Sequence, residues 1–144
     1  MWSKDYNLED LTQLASLVTQ EISTHKEFCV WLDGPLGAGK TTTTGSLLKA
    51  LGLPQDENVP SPTFTYLIEY EIKGQWFAHM DLYRIKKELD EPMDMMKHRD
   101  YKGSFIEWPD NSPDLNDIYP THKILIEYLT PSSRKFTFYQ NSEI

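Results

Sequence analysis

Disulfides, a membrane span and a basic binding face are all missing from this sequence. Cys29 is the single cysteine in 144 residues, so no internal disulfide can form and a reducing compartment is expected. Lys and Arg number 14 against 22 Asp and Glu, a net charge of −8. That balance excludes a stand-alone nucleic-acid binder, which carries a basic footprint, and adhesion to an anionic membrane. No apolar run approaches the length of a membrane span, and Met1–Tyr6 has no apolar signal-like stretch. Four dispersed histidines and one cysteine suggest no zinc site. The expectation is one acidic, cytoplasmic domain, able to bury roughly 68–70% of its unfolded surface without staples.

The apolar pattern gives the order of elements. Leu8, Leu11, Ala15, Val18 and Ile22 recur at steps of three and four, predicting a helix over 8–22 capped by Asn7, with Asp10 near its positive end. Phe28-Cys29-Val30-Trp31-Leu32 has no alternation, the habit of a parallel strand covered on both faces. A glycine-rich stretch follows, then a helix from Lys40 to Leu51 closed by Gly52 and Pro54. Asp56 to Pro62 reads as a loop, and Phe64–Ile72 with Trp76–Leu82 as a hairpin around the three residues Lys73-Gly74-Gln75. Charged residues and Met93, Met95 and Met96 fill 85–103, where Pro92 limits any helix to short pieces. Strands are expected at Ser104–Trp108, Lys123–Leu129 and Lys135–Tyr139, the last two paired around Thr130-Pro131-Ser132-Ser133. The fold class is α/β, a three-layer domain with a mixed, largely parallel central sheet plus antiparallel hairpins.

Gly34-Pro35-Leu36-Gly37-Ala38-Gly39-Lys40-Thr41 fits the phosphate-loop pattern G-x-x-x-x-G-K-[ST] in full. Glycines let successive backbone N–H groups turn inward around phosphate oxygens, and the following helix adds its positive end. In that pattern Lys40 reaches the β- and γ-phosphates and the Thr41 hydroxyl ligates Mg²⁺. Thr42, Thr43 and Thr44 continue the helix and read first as surface or packing positions. No Asn is followed by Lys, so the guanine-reading element is missing and ATP is favoured. Asp100-Tyr101-Lys102-Gly103 has D-x-x-G spacing but precedes a strand, and reads as a turn.

A phosphate loop needs a carboxylate beyond the end of a neighbouring strand, to hold Mg²⁺ or orient water. Asp81 in His79-Met80-Asp81-Leu82-Tyr83-Arg84 and Glu107 in Phe105-Ile106-Glu107-Trp108 stand at such ends. His79 shares Asp81's strand face and reads as a packed or hydrogen-bonded histidine rather than a ligand. Ser61-Pro62-Thr63 lies where GTPases carry a switch threonine. No arginine finger is evident among Arg84, Arg99 and Arg134.

Four segments in series, Leu36–Thr42, Val59-Pro60-Ser61-Pro62-Thr63-Phe64, His79–Arg84 and Ile106-Glu107-Trp108-Pro109, resemble the TsaE (YjeE-like) family over about residues 8–135. That family is the small P-loop ATPase of bacterial tRNA threonylcarbamoyladenosine biosynthesis. The resemblance implies slow, Mg²⁺-dependent ATP hydrolysis and association with the TsaB–TsaD heterodimer, in a pathway shared with TsaC. TsaD carries out the transfer to adenosine 37 of tRNAs reading ANN codons, so tRNA is met only through the complex. It implies nucleotide binding by the stretch from Gly34 to Thr42, catalysis by Lys40, Asp81 and Glu107, and metal binding by Thr41, Glu107 and Asp81. Thr63 falls in the switch-like loop, Trp108 beside the active site, and Thr12 near the nucleotide. Which acid ligates Mg²⁺ and which orients water stays open. Met95-Met96-Lys97-His98 departs from the family pattern, which carries a glycine-bearing turn there. Two other readings compete: a small-molecule kinase, for which three arginines are few, and a non-catalytic nucleotide-dependent interaction module.

Overall fold

In the computed structural model, residues 1–85, 94, 96–111 and 120–144 are described. Their elements are β1 (Trp2–Tyr6), α1 (Leu11–Ile22), β2 (Phe28–Asp33), α2 (Lys40–Leu51), β3 (Leu67–Ile72), β4 (Gln75–Asp81), β5 (Gly103–Glu107), β6 (His122–Thr130) and β7 (Ser133–Gln140). All seven strands join one mixed sheet in the order β1-β7-β6-β2-β5-β4-β3. The four middle strands, β6, β2, β5 and β4, run parallel, and antiparallel partners close both flanks. Met93, Met95 and Pro92 lie outside the described residues.

Burial follows the strand pattern. Val30 and Leu32 of β2 face the main core, with Phe105, Phe77 and the apolar stripe Leu11, Leu14, Ala15, Val18 and Ile22 of α1. Helices α1 and α2 pack against each other over this face. The opposite face gathers Cys29, Met80, Leu82 and Ile106, with Trp31, Met96 and Trp108 packed on them. A run without alternation is what a strand covered on both faces requires.

Four expectations need correction. Leu8 does not join the α1 stripe: it is exposed in a separate 3₁₀ turn, Leu8–Asp10. The Asn7 side chain accepts from Glu9 N–H there, and Asp10 accepts from Asn7 N–H, so the two residues close the turn reciprocally. The β3–β4 connection is two residues, because Lys73 and Gly74 both take positive φ (53° and 78°) and Gln75 already pairs with Ile72. The strand before it starts at Leu67, since Tyr66 adopts φ 66° and donates its N–H to the Pro62 carbonyl. Finally β1, not anticipated, pairs with β7 at the sheet edge, its Trp2 ring 5.7 Å from Phe136.

His122 opens β6 buried, its ring stacked on Phe138 and met edge-on by His25 at 4.7 Å. Burial, and then the charge of His25, push its pKa down to about 4. An unfolded histidine titrates near 6.5, so between those values the unfolded chain binds more protons. Folding stability is therefore expected to fall as pH drops from about 6.5 towards about 4. Urea unfolding across that range checks this, and His122→Gln should flatten the slope.

Candidate active site

Strand register assembles the site before any side chain is considered. Asp81 on β4 is the register partner of Glu107 on β5, which in turn is the partner of Leu32 on β2. The strands run parallel, so both acids and the start of the glycine loop reach the same edge of the sheet. Gly34 leaves β2 at φ 153°, where a Cβ would come 2.6 Å from the Ile126 carbonyl oxygen of β6. Only glycine lets the loop turn out between β5 and β6. Gly37 (φ 78°) and Gly39 (φ 109°) supply the remaining left-handed turns, and α2 begins at Lys40.

Asp81, Glu107, Lys40, Thr41, Thr42, Thr63, Trp108, Leu36, Gly37 and Gly39 share one cavity of about 380 Å³. Lys40 is buried, its Nζ donating to the Gly34 and Pro35 carbonyls at 2.7 and 3.0 Å and lying 4.0 Å above the Trp108 ring. Burial pushes its pKa below the usual range, while Glu107, Asp81 and Asp33 pull it back up. Trp108 takes φ 57°, a left-handed conformation uncommon for a bulky residue. Such backbone is held by its surroundings, here the Lys40 contact and the Tyr83 ring at 4.9 Å.

The two carboxylates have different company. Glu107, 2% exposed, accepts the Thr41 hydroxyl within 3.0 Å of both oxygens, and its Oε2 meets the buried His79 Nε2 at 2.5 Å. Asp81 accepts the Ser61 hydroxyl at 2.7 Å, the Thr63 hydroxyl at 3.2 Å and the Tyr83 backbone N–H at 2.9 Å. One acid is thus joined to the phosphate-loop helix and the other to the loop at 61–66. His79 is packed and hydrogen-bonded, as expected from its strand face.

Sequence reasoning passed over several residues. Ser61, in the sequence only one member of the tripeptide Ser61-Pro62-Thr63, makes the shorter contact to Asp81. Tyr83 and Arg84 line the cavity, two and three residues after Asp81 in the segment His79–Arg84, and that nearness to a strand-end acid is the available signal. A second cavity of about 410 Å³ shares Gly37, Gly39 and Thr42 with the first and extends to Asn7, Leu11, Ala38 and Arg134. Arg134 donates to the Ala38 carbonyl at 3.3 Å and Tyr128 to that of Leu36 at 3.4 Å, so the β6–β7 hairpin braces the loop. No local motif marks a contact across 96 residues of sequence. Thr12 is exposed on α1 and lines neither cavity.

A sequence model of the family described as threonylcarbamoyl adenosine biosynthesis protein TsaE matches residues 6–136. The chain belongs to the TsaE family. Among relatives named tRNA threonylcarbamoyladenosine biosynthesis protein TsaE, that of Haemophilus influenzae is 38% identical over 110 residues, 74% of this chain and 65% of the relative. That of Aquifex aeolicus is 43% identical over 77 residues, 54% of this chain and 56% of the relative. The aligned stretches thus span less than two thirds of either relative's own length. The crystal structure of Bacillus subtilis YdiB superposes with a TM-score of 0.68 at 24% identity, covering 97% of this chain and 86% of that one. That likeness shares the α/β, P-loop-like fold of this TsaE-family chain. No helix among the described residues is long and apolar enough to cross a membrane.

His79 and Glu107 are buried together, so His79→Ala strips one partner from a desolvated carboxylate. A loss of about 1–3 kcal/mol is expected in urea unfolding. His79→Gln, which keeps a polar group there, should recover part of it.

Proposed function

We propose that this chain is a Mg²⁺-dependent ATPase that serves tRNA threonylcarbamoyladenosine biosynthesis by acting on a TsaB–TsaD complex. The observation that carries the reading is the convergence of Lys40, Thr41, Asp81 and Glu107 on one cavity behind a complete phosphate loop. The family and the names of the relatives supply the pathway.

The donor set fits magnesium. Thr41, Glu107 and Asp81 offer hard oxygen donors, and Mg²⁺ is ordinarily held by one or two carboxylates together with substrate phosphates. The metal, when bound, would neutralise phosphate charge during transfer to water. Glu107, already joined to the Thr41 hydroxyl, is the acid on the metal side. Asp81, joined to Ser61 and Thr63, is the acid that orients water, and its two hydroxyl partners tie that role to the switch-like loop. Lys40 supplies positive charge at the phosphates in a partly desolvated setting, where electrostatic attraction is less screened. The second cavity continues from the same glycines and is the place for the adenosine, with Asn7 and Ser132 as polar contacts.

An acidic chain devoted to tRNA modification is consistent with a protein that leaves the RNA to its partners. Lys40→Ala is expected to abolish tight ATP binding, read by calorimetry or by Trp108 fluorescence with Trp108→Phe as the control. Hydrolysis of ATP with and without TsaB–TsaD tests the assignment: stimulation or inhibition by the partners is expected. No partner effect on turnover or on nucleotide affinity would sink it.

A further inference from the structure

Resting on the ATPase reading, we infer that Arg84 is a catalytic arginine supplied in cis, contacting the γ-phosphoryl group as charge develops on it. The chain has three arginines, and the structure gives two of them other work. Arg99 is paired with Glu69 at 2.7 Å and stacked 3.7 Å over Trp76. Arg134 is spent on the Ala38, Thr130, Pro131 and Ser133 carbonyls and on the Tyr128 ring. Arg84 lines the cavity, and with Lys40 it is one of two cationic side chains among the described residues that do.

Its position fits the role. Arg84 follows Asp81 by three residues, on the wall that carries the water-orienting acid rather than on the phosphate-loop wall. Its backbone carbonyl accepts the Tyr66 hydroxyl at 3.4 Å, which ties it to the 61–66 loop. Among the described residues no carboxylate is recorded against its guanidinium. The recorded contact is the Phe64 ring, 5.0 Å away and 81% exposed. A guanidinium resting on an exposed aromatic is held weakly, so a phosphate oxygen can draw it off. Lys40 enters the site from the loop side with two backbone carbonyls already bound. Beside Lys40 and the metal, Arg84 is the remaining cationic side chain of this cavity among the described residues that can meet the charge appearing on the equatorial oxygens during transfer.

The experiment uses the full chain as wild type, Arg84→Ala and Arg84→Lys. Calorimetry measures affinity for MgADP, and for MgADP with aluminium fluoride as a transition-state mimic; single-turnover assays measure MgATP hydrolysis. Arg84→Ala should keep the MgADP affinity, which also reports that it is folded, and lose the extra affinity conferred by fluoride. Its hydrolysis should fall on the order of 10³-fold, the low end of what such an arginine is worth. Arg84→Lys should recover little, because the planar fork is gone. Unchanged hydrolysis and fluoride-dependent affinity in Arg84→Ala overturn the assignment. So does an equal loss for MgADP and its fluoride complex, which marks a ground-state contact. Loss of TsaB–TsaD response alone, with intrinsic hydrolysis intact, overturns it in favour of a docking role. Wild type that neither binds nor hydrolyses MgATP is a different failure, that of the ATPase reading itself.

Discussion

Glu107 sits at the end of a central strand with almost no exposure to water, and the surrounding architecture makes that tolerable. A buried carboxylate is costly unless its oxygens are satisfied. Here Thr41 reaches it from the first turn of α2 and His79 from the neighbouring strand β4. Those contacts fix the relative positions of three elements: the helix that follows the phosphate loop, strand β5 and strand β4. Parallel register does the rest by setting Asp81 level with Glu107. The constraint is thus one of position before it is one of chemistry.

The loop itself depends on contacts from far along the chain. Gly34 passes so close to the Ile126 carbonyl that no side chain fits, and Arg134 and Tyr128 hold the Ala38 and Leu36 carbonyls. The β6–β7 hairpin therefore acts as a brace for the phosphate loop, while β3–β4 delivers Asp81. The antiparallel flanks of the sheet shape the site, and the parallel middle aims it. On the far wall the loop at 61–66 is joined to Asp81 by two hydroxyls, which couples its conformation to the acid assigned to water.

Much of this was legible from sequence because the signals were local. The loop, the bounds of α2 and the unalternating run of β2 each lie within a dozen residues, and glycine spacing or burial pattern marks them. Asp81 and Glu107 could be named because an acid after an apolar run is a strand-end acid. What escaped depends on pairing. Trp2–Tyr6 has charged residues on an exposed edge and becomes a strand only because β7 lies beside it. The hairpin connection is one residue shorter than its composition suggests, because Lys73 accepts a left-handed conformation that composition does not announce. Ser61, Tyr83, Arg84 and Arg134 belong to the cavities through folding, and counting three arginines said nothing of where they stand.

The central claim is that Thr41 and Glu107 form the metal side of a nucleotide triphosphate site, with Asp81 facing them on the water side. The most direct measurement is calorimetric titration of ATP into the chain, once with Mg²⁺ and once with EDTA, for wild type and Thr41→Ala. The account predicts tighter binding with Mg²⁺ in wild type, and loss of that gain in Thr41→Ala with the EDTA affinity unchanged. Equal wild-type affinity in the two conditions would contradict it.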